Sequence, residues 1–296
     1  MKPLVSVVVA TYRRDVSLLE ALRSLREQHY PHIEIVLVDD NDDPKWNRKI
    51  ERIVTDFKES FPDIMLQYIT NHPNQGSAET RNIGIRAARG EYVTFLDDDD
   101  IYLAEKVERQ VLFMEKENLD YSITDIFLYS ENGKLADRRI RSYIKETSVQ
   151  SLLEYHLKYH MTGTDTMMFR REYLLAVGGF PPINVGDEFY LMQSAIEHGG
   201  SFGYLPGCDV KAYVHTGEGG LSSGKGKIDG ENTLYEYKKQ YFERLHPETV
   251  KYIKARHHAV LAYAYLRMRS FGNCLKSSVA GFFTSPMMFF KILLNR

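Results

Sequence analysis

The chain has 296 residues, 43% of them hydrophobic, and a formal net charge of −2. This length suits one large domain or two small ones with a sizeable core, and the near-neutral charge argues against a general nucleic-acid-binding protein. The two cysteines, Cys208 and Cys274, are too few for a disulfide framework and indicate a reducing compartment. The first apolar run, residues 4–9, is short and is typical of a core strand rather than a signal peptide. We therefore expect a cytoplasmic protein.

Short apolar runs alternate with helical patterns in the N-terminal part of the chain. The helices are indicated by apolar residues three or four positions apart, as at Leu18, Leu22 and Leu25 after a capping Asp15. This alternation predicts an α/β fold with a mostly parallel, Rossmann-like sheet flanked by helices. The predicted strands are residues 4–9, 33–38, 64–69, 92–96 and 120–129, and helices are predicted around residues 15–25, 46–57 and 107–114.

The pattern becomes less regular after residue 134. A glycine-rich loop is predicted over residues 217–230, and the chain is expected to end in a helical extension. Further helices are predicted over residues 148–158, 191–196, 235–245 and 248–268, and strands over residues 165–170 and 210–214.

Four consecutive carboxylates, Asp97 to Asp100, directly follow the predicted strand 92–96. Clustered like charges are unfavourable without a cation, and hard oxygen ligands suit Mg²⁺ or Mn²⁺. The alternative is an acidic turn that caps a following helix. Polar clusters also follow the first strand, from Ala10, and the second strand, at Asp39 and Asp40. Because parallel strands end at one edge of a sheet, the three clusters together predict a ligand site.

The segment 74–84 lies between these clusters in the sequence. Gly76 permits a tight turn into a helix, whose first N–H groups favour an anion. Arg81 can then pair with a phosphate or with the acidic cluster. The alternative is a capped surface helix in which Arg81 forms a structural ion pair.

The segments 6–12, 38–41, 74–84 and 90–100 together resemble four motifs of the family 2 glycosyltransferases, in the same order. The resemblance covers residues 1–115. It implies a GT-A fold and inverting sugar transfer from a nucleotide-diphospho-sugar, with Mn²⁺ or Mg²⁺ as the cofactor. It further implies a GT-A domain over residues 1–245, with residues 1–115 binding the nucleotide and residues 116–245 supplying the acceptor site and catalytic base. Residues 246–296 would form a helical tail.

The resemblance also implies roles for individual residues at the nucleotide end of the site. Tyr12, with Ala10 beside it, falls where family members border the nucleobase. Asp40 matches the carboxylate that contacts the base, commonly uracil, and Asp39 lies next to it. A UDP-sugar donor is therefore expected.

The metal and diphosphate roles follow from the same resemblance. Asp98 matches the ribose or metal-side position of a DXD-type motif, and Asp99 its metal-binding carboxylate; Asp97 is an alternative for the ribose role and a candidate metal ligand. His215 matches a histidine near the metal or diphosphate in many members, although a histidine after a strand can equally be structural. Two basic residues of the glycine-rich loop could neutralise phosphate charge or simply be solvated: Lys225 and Lys227.

An inverting displacement needs one carboxylate to deprotonate the acceptor hydroxyl. The resemblance places it in an acidic pair at a helix start after a Gly-Gly-Phe turn, and here Asp187 and Glu188 follow the turn at 178–180. The register of Leu191 favours Glu188, but the reversed order of the pair leaves Asp187 open. Both acids could instead only cap the helix.

The segment 277–294 is strongly apolar but is interrupted by Pro286 and Lys291. Its length is marginal for crossing a bilayer, and the flanking basic residues suit an interfacial segment at the inner face of the membrane. The alternative is a tail that packs on the catalytic core or on a second subunit in a homodimer.

Three functions remain in competition. The leading one is transfer of a sugar to a glycan or lipid-linked acceptor. A catalytically inactive sugar-nucleotide-binding homologue is the second, and the intact Asp40, Asp98, Asp99 and Glu188 argue against it. A sugar-nucleotide pyrophosphorylase is the third, and it would require a glycine-rich, basic loop at residues 10–14, which this chain lacks.

Overall fold

A computed structural model describes residues 2–130, 132–183, 186–214 and 224–294. The chain divides into two compact units. The first consists of Met1–Leu152 with Met161–Val214, and the second of Leu153–His160 with the described part of His215–Arg296. The division of the chain into a nucleotide half, an acceptor half and a tail from residue 246 stays a prediction.

A seven-stranded sheet forms the centre of the first unit. Numbered in chain order, its strands are β1 Val5–Thr11, β2 Ile33–Asp39, β3 Met65–Thr70, β4 Tyr92–Phe95, β6 Tyr121–Thr124, β9 Met168–Arg170 and β10 Phe202–Leu205. They lie in the order β10-β6-β9-β4-β1-β2-β3. All neighbours are parallel except β9, which runs antiparallel between β4 and β6. The predicted α/β fold with a mostly parallel sheet is confirmed.

The register of the central strands brings the predicted clusters to one edge. Val5 of β1 lies opposite Ile33 of β2 and opposite Tyr92 of β4. Since β4, β1 and β2 are adjacent and parallel, the residues that follow them emerge side by side.

A second sheet of four strands has the order β5-β11-β7-β8, with β5 at Ile101–Tyr102, β7 at Ile126–Ser130, β8 at Leu135–Arg139 and β11 at Val210–Val214. The single strand predicted over residues 120–129 is therefore wrong, because β6 and β7 belong to different sheets. Buried Asp125 marks the break. Its carboxylate accepts hydrogen bonds from the backbone N–H groups of Arg141 at 2.9 Å and Gly207 at 3.0 Å, which hold the chain in this bend.

The helices of the N-terminal region pack on the central sheet largely as their apolar spacing predicts. Asp15 caps the first helix, Val16–Arg26, whose Leu18, Leu22 and Leu25 are buried. The third helix lies very close to β1, since a Cβ added at Gly84 would be 2.3 Å from a methyl group of Val8. The helices up to residue 198 are α1 Val16–Arg26, α2 Pro44–Ser60, α3 Gly76–Ala87, α4 Lys106–Glu117, α5 Val149–Tyr159, α6 Arg171–Val177 and α7 Asp187–His198.

The second unit is helical. It contains the part of α5 from Leu153 onward, and the helices α8 Gly224–Lys239, α9 Pro247–Arg267, α10 Phe271–Thr284 and α11 Pro286–Leu294. The predicted loop at 217–230 is wrong from residue 224 onward, because those residues begin α8; residues 217–223 lie outside the described residues. The helix predicted over residues 235–245 corresponds to the last part of α8, which ends at Lys239. Among the described residues, every helix is too short or too polar to cross a membrane.

Candidate active site

The four carboxylates after β4 point to different partners. The backbone N–H of Asp100 donates to the carbonyl of Asp97 at 3.1 Å, which closes a tight turn. Asp98 accepts hydrogen bonds from the Thr11 hydroxyl at 2.8 Å and the Tyr12 backbone N–H at 3.1 Å, so it ties the end of β4 to the end of β1. Burial and the neighbouring Asp99 raise the pKa of Asp98 to about 7.

Asp99 forms an ion pair with Arg14, whose guanidinium lies 2.8 Å from its carboxylate. The sequence indicated Asp99 as a metal ligand but assigned no role to Arg14. A metal-binding role for Asp99 stays a prediction.

A group of carboxylates that could hold a metal ion is formed by Asp97, Asp100 and Asp165, with one oxygen from each within 4.8 Å of the others. Asp165 lies in a 3-10 turn, Thr164–Thr166, and accepts a hydrogen bond from the Asp97 backbone N–H at 2.7 Å. Burial followed by repulsion from Asp165 raises the pKa of Asp100, and burial followed by repulsion from Asp97 raises the pKa of Asp165 to about 7. A divalent cation would remove this repulsion, and an all-carboxylate donor set fits Mg²⁺ or Mn²⁺.

The sequence analysis missed Asp165, because it assigned residues 165–170 to a strand. The available signal was an acidic residue at the start of the predicted strand. Of the predicted metal ligands, Asp97 joins the group, Asp99 contacts Arg14, and His215 lies outside the described residues.

Arg81 connects the acidic group to the acidic pair of α7. Its guanidinium donates to Asp97 at 2.7 Å and to Asp187 at 2.8 Å. Burial would lower the pKa of Arg81, but Asp97 and Asp187 together outweigh this effect and raise it. The sequence analysis expected Arg81 to pair either with a phosphate or with the acidic cluster. The structure shows the pair with the acidic cluster, through Asp97.

The two acids of the pair have different environments. Asp187 is buried and its carboxylate is held by Arg81, while Glu188 is half-buried at the start of α7. Burial, followed by repulsion from Asp187, raises the pKa of Glu188 to about 7. A carboxylate with a pKa near 7 is suited to exchange a proton at neutral pH.

Asp40, predicted to contact a nucleobase, is buried at the N-terminus of α3. Its carboxylate accepts hydrogen bonds from the backbone N–H groups of Gln75 at 2.7 Å and Gly76 at 2.9 Å, and from the side chain of Asn71 at 2.9 Å. No side chain caps α3 from the N-cap position itself, so Asp40 supplies the missing acceptor. The sequence did not indicate this structural role.

The other predicted nucleotide-side residues line the same strand ends. Asp39 is fully buried and accepts hydrogen bonds from Asn47 at 2.9 Å and the Tyr68 hydroxyl at 2.7 Å. Ala10 lies near the end of β1, and Tyr12 directly follows the strand with 47% of its surface exposed. The guanidinium of Arg13 lies over the Tyr12 ring, 5.1 Å from its centroid.

Lys225 and Lys227 lie in the first turn of α8, in the second unit, rather than in a loop. Their predicted interaction with phosphate stays a prediction.

Comparison with known proteins identifies the relatives of this chain. The family model described as "Glycosyl transferase family 2" matches residues 6–178. The Escherichia coli UDP-Glc:alpha-D-GlcNAc-diphosphoundecaprenol beta-1,3-glucosyltransferase WfaP is 31% identical over 126 residues, which are 42% of this chain and 47% of WfaP. The chain spans about half the length of the first relatives that it matches.

Two solved structures share the fold. Staphylococcus aureus TarS 1–349 in complex with UDP-GlcNAc has a TM-score of 0.60 and 17% identity, over 95% of this chain and 91% of that chain. The mannosyltransferase PcManGT of Pyrobaculum calidifontis, in complex with GDP-Man and Mn²⁺, has a TM-score of 0.61 and 21% identity, over 95% of this chain and 74% of that chain. At these identities the likeness concerns the fold, and it confirms the GT-A architecture.

Proposed function

The chain belongs to glycosyltransferase family 2, and from this membership we propose that it is an inverting, metal-dependent enzyme. It would move a sugar from a nucleotide-diphospho-sugar to a hydroxyl of a glycan or lipid-linked acceptor. The observation that carries the proposal is the bridge formed by Arg81, which joins Asp97 of the acidic group to Asp187, the neighbour of Glu188. One charged side chain thus positions the proposed metal ligands and the proposed base together.

The carboxylates of Asp97, Asp100 and Asp165 would hold Mg²⁺ or Mn²⁺. The bound ion would supply positive charge to the departing diphosphate. The Mn²⁺ in the PcManGT complex supports a divalent ion for this fold.

Glu188 is the proposed general base. The acceptor oxygen forms a bond to the anomeric carbon while the bond from that carbon to the diphosphate oxygen breaks, and the hydroxyl proton passes to the Glu188 carboxylate. Attack opposite the leaving group inverts the anomeric configuration. Asp187 is less suited to this task, because its carboxylate is buried and paired with Arg81.

We propose a uridine nucleotide as the donor's carrier. WfaP is named for UDP-Glc and the TarS structure holds UDP-GlcNAc, whereas PcManGT holds GDP-Man. Asp40 accepts hydrogen bonds from three protein groups. A carboxylate has about four acceptor positions, which leaves one for the N3–H of uracil. The exposed ring of Tyr12 would stack on the base.

The proposal is tested by incubating the full chain with UDP-, GDP- and dTDP-sugars, Mn²⁺ and a panel of saccharide acceptors, and measuring nucleotide diphosphate release and the anomeric configuration of the product. We expect UDP release with inversion, lost on chelation of the metal. Asp165→Asn should lose this activity, because it removes one of the proposed metal ligands. The matched control is Asp63→Asn, at a carboxylate with 73% of its side chain exposed.

The same assay, with a parallel reaction that contains pyrophosphate in place of the acceptor, distinguishes the competing functions. An inactive homologue would bind the nucleotide-sugar without releasing a diphosphate. A pyrophosphorylase would instead consume pyrophosphate with the sugar nucleotide and form a nucleoside triphosphate. Either result would overturn the proposal.

A further inference from the structure

The C-terminal helix α10 has its apolar side chains on the outside. Its buried positions are the small residues Ser277 and Gly281. A Cβ at Gly281 would lie 2.2 Å from the ring of Phe289 and 3.1 Å from the Cβ of His258, so this side packs closely within the second unit. The large apolar residues are exposed instead, which is the reverse of the usual pattern of a surface helix.

These exposed residues form one continuous surface, which we call the C-terminal face. Phe271, Leu275, Val279 and Phe283 recur at intervals of four, and their exposed fractions range from 46% to 80%. Phe282 of α10 contacts Phe290 of α11 with ring centroids 6.2 Å apart, which joins the two helices. The C-terminal face consists of Phe271, Leu275, Val279, Phe282, Phe283, Met287 and Phe290.

The charged residues in the part of the sequence that carries the C-terminal face are all positive. Residues 249–296 contain eight Lys and Arg residues and neither Asp nor Glu, although the whole chain has a net charge of −2. Arg267, Arg269, Lys276 and Lys291, which flank or interrupt the face, are all exposed. A second copy of the chain would bring the same positive charges together, which is unfavourable, whereas an anionic surface complements them.

We propose that the C-terminal face binds the surface of an anionic lipid bilayer, with α10 lying in the plane of the interface. A helix of 14 residues is about 21 Å long, which is shorter than the hydrocarbon core of about 30 Å. The phenylalanine side chains enter the boundary between headgroups and acyl chains, and the basic residues contact the anionic headgroups. This proposal does not depend on the proposed reaction.

The test is flotation of the full chain with vesicles of phosphatidylcholine alone and with about 30% phosphatidylglycerol, a content that gives an anionic surface. We expect flotation with the anionic vesicles, reduced by high salt. Phe271→Ser with Phe283→Ser should weaken binding at least about tenfold, because two large apolar groups are lost from the interface. The matched control is Leu112→Ser with Leu175→Ser, two leucines with 54% and 42% exposure outside the face.

A second pair of variants tests whether binding to the vesicles depends on the basic residues. Lys276→Glu with Lys291→Glu should weaken binding to the anionic vesicles about tenfold or more. The control Lys58→Glu with Lys116→Glu changes the net charge equally at exposed lysines elsewhere. Thermal unfolding of each variant checks that it folds.

Three results would overturn the proposal. The first is no flotation with either vesicle type. The second is equal flotation of the phenylalanine variant and its control. The third is a concentration-dependent dimer, detected by light scattering, that the phenylalanine variant abolishes while vesicles have no effect; the face would then be an interface between copies of the chain.

Discussion

The guanidinium of Arg81 lies 2.8 Å from the carboxylate of Asp187, although the two residues are 106 positions apart in the sequence. Arg81 belongs to α3 and Asp187 begins α7. The ion pair holds the carboxylate of Asp187, whereas burial and repulsion from Asp187 raise the pKa of Glu188. The fold thereby gives two adjacent carboxylates different chemistry.

We expect Glu188→Gln to lower kcat by about 100-fold or more, the scale for removing a general base, with donor affinity unchanged. The amide keeps the shape of the side chain but does not take the proton. Steady-state kinetics and donor titration provide the measurement, and Glu197→Gln on the exposed side of α7 is the control. If Asp187→Asn is the inactive variant and Glu188→Gln is active, the two roles are exchanged.

The pH dependence of kcat should follow the ionisation of Glu188. Since its pKa is raised to about 7, the group is largely protonated at lower pH and does not accept a proton there. We expect kcat to rise with pH through about 7 and then level, when measured at saturating Mn²⁺. A profile that is flat from about pH 5.5 to 8 would contradict this assignment.

Arg81→Ala should destabilise the fold strongly. The Arg81 side chain has 11% exposure and its loss leaves Asp97 and buried Asp187 without their cation. Breaking such a buried pair costs about 3–5 kcal/mol, whereas an exposed pair contributes about 0–1 kcal/mol. Arg86→Ala, which removes an exposed ion pair with Glu79, is the control. The free energies of unfolding in urea provide the comparison, and equal losses would show that Arg81 is not a structural bridge.

Removal of Asp165 should abolish stabilisation by metal. A ligand at about 100 times its Kd stabilises the folded state by about 2.7 kcal/mol. We expect Mn²⁺ to raise the Tm of the wild type but not of Asp165→Asn, with Asp63→Asn behaving as the wild type. Asp99→Ala is measured in the same way, because the sequence predicts Asp99 as a metal ligand whereas the structure pairs it with Arg14. Retained Mn²⁺ stabilisation in Asp165→Asn would remove this residue from the metal site.

Asp40→Asn should affect both stability and nucleotide preference. The substitution weakens the acceptor for the N–H groups of Gln75 and Gly76, and an impaired buried hydrogen bond costs about 1–3 kcal/mol. The preference for UDP over GDP should fall in calorimetric titrations. Asp42→Asn, with 43% side-chain exposure, is the control. An unchanged UDP preference would assign Asp40 to the anchoring of α3 alone.

The sequence predicted the central features of the fold because they depend on local patterns. The alternation of apolar runs and helical spacing specifies which residues are buried and in which element. The parallel strands then carry Ala10, Asp40 and Asp97 to one edge of the sheet without further information. The same local reasoning failed at residues 120–129, since a strand pattern in the sequence does not reveal that the chain changes sheets at Asp125.

The sequence by itself determined the mostly parallel sheet, the edge at which a site would form and the types of residue gathered there. Only the tertiary structure decided which side chains meet. Asp165 joins Asp97 and Asp100, Arg14 pairs with Asp99, and Arg81 bridges to Asp187. Asp165 is at least 65 residues from Asp97 and Asp100 in the sequence, and the pairs that Arg14 and Arg81 form with Asp99 and Asp187 are even further apart. Their meeting depends on strand register and on the paths of turns, and neither leaves a periodic signal in the sequence.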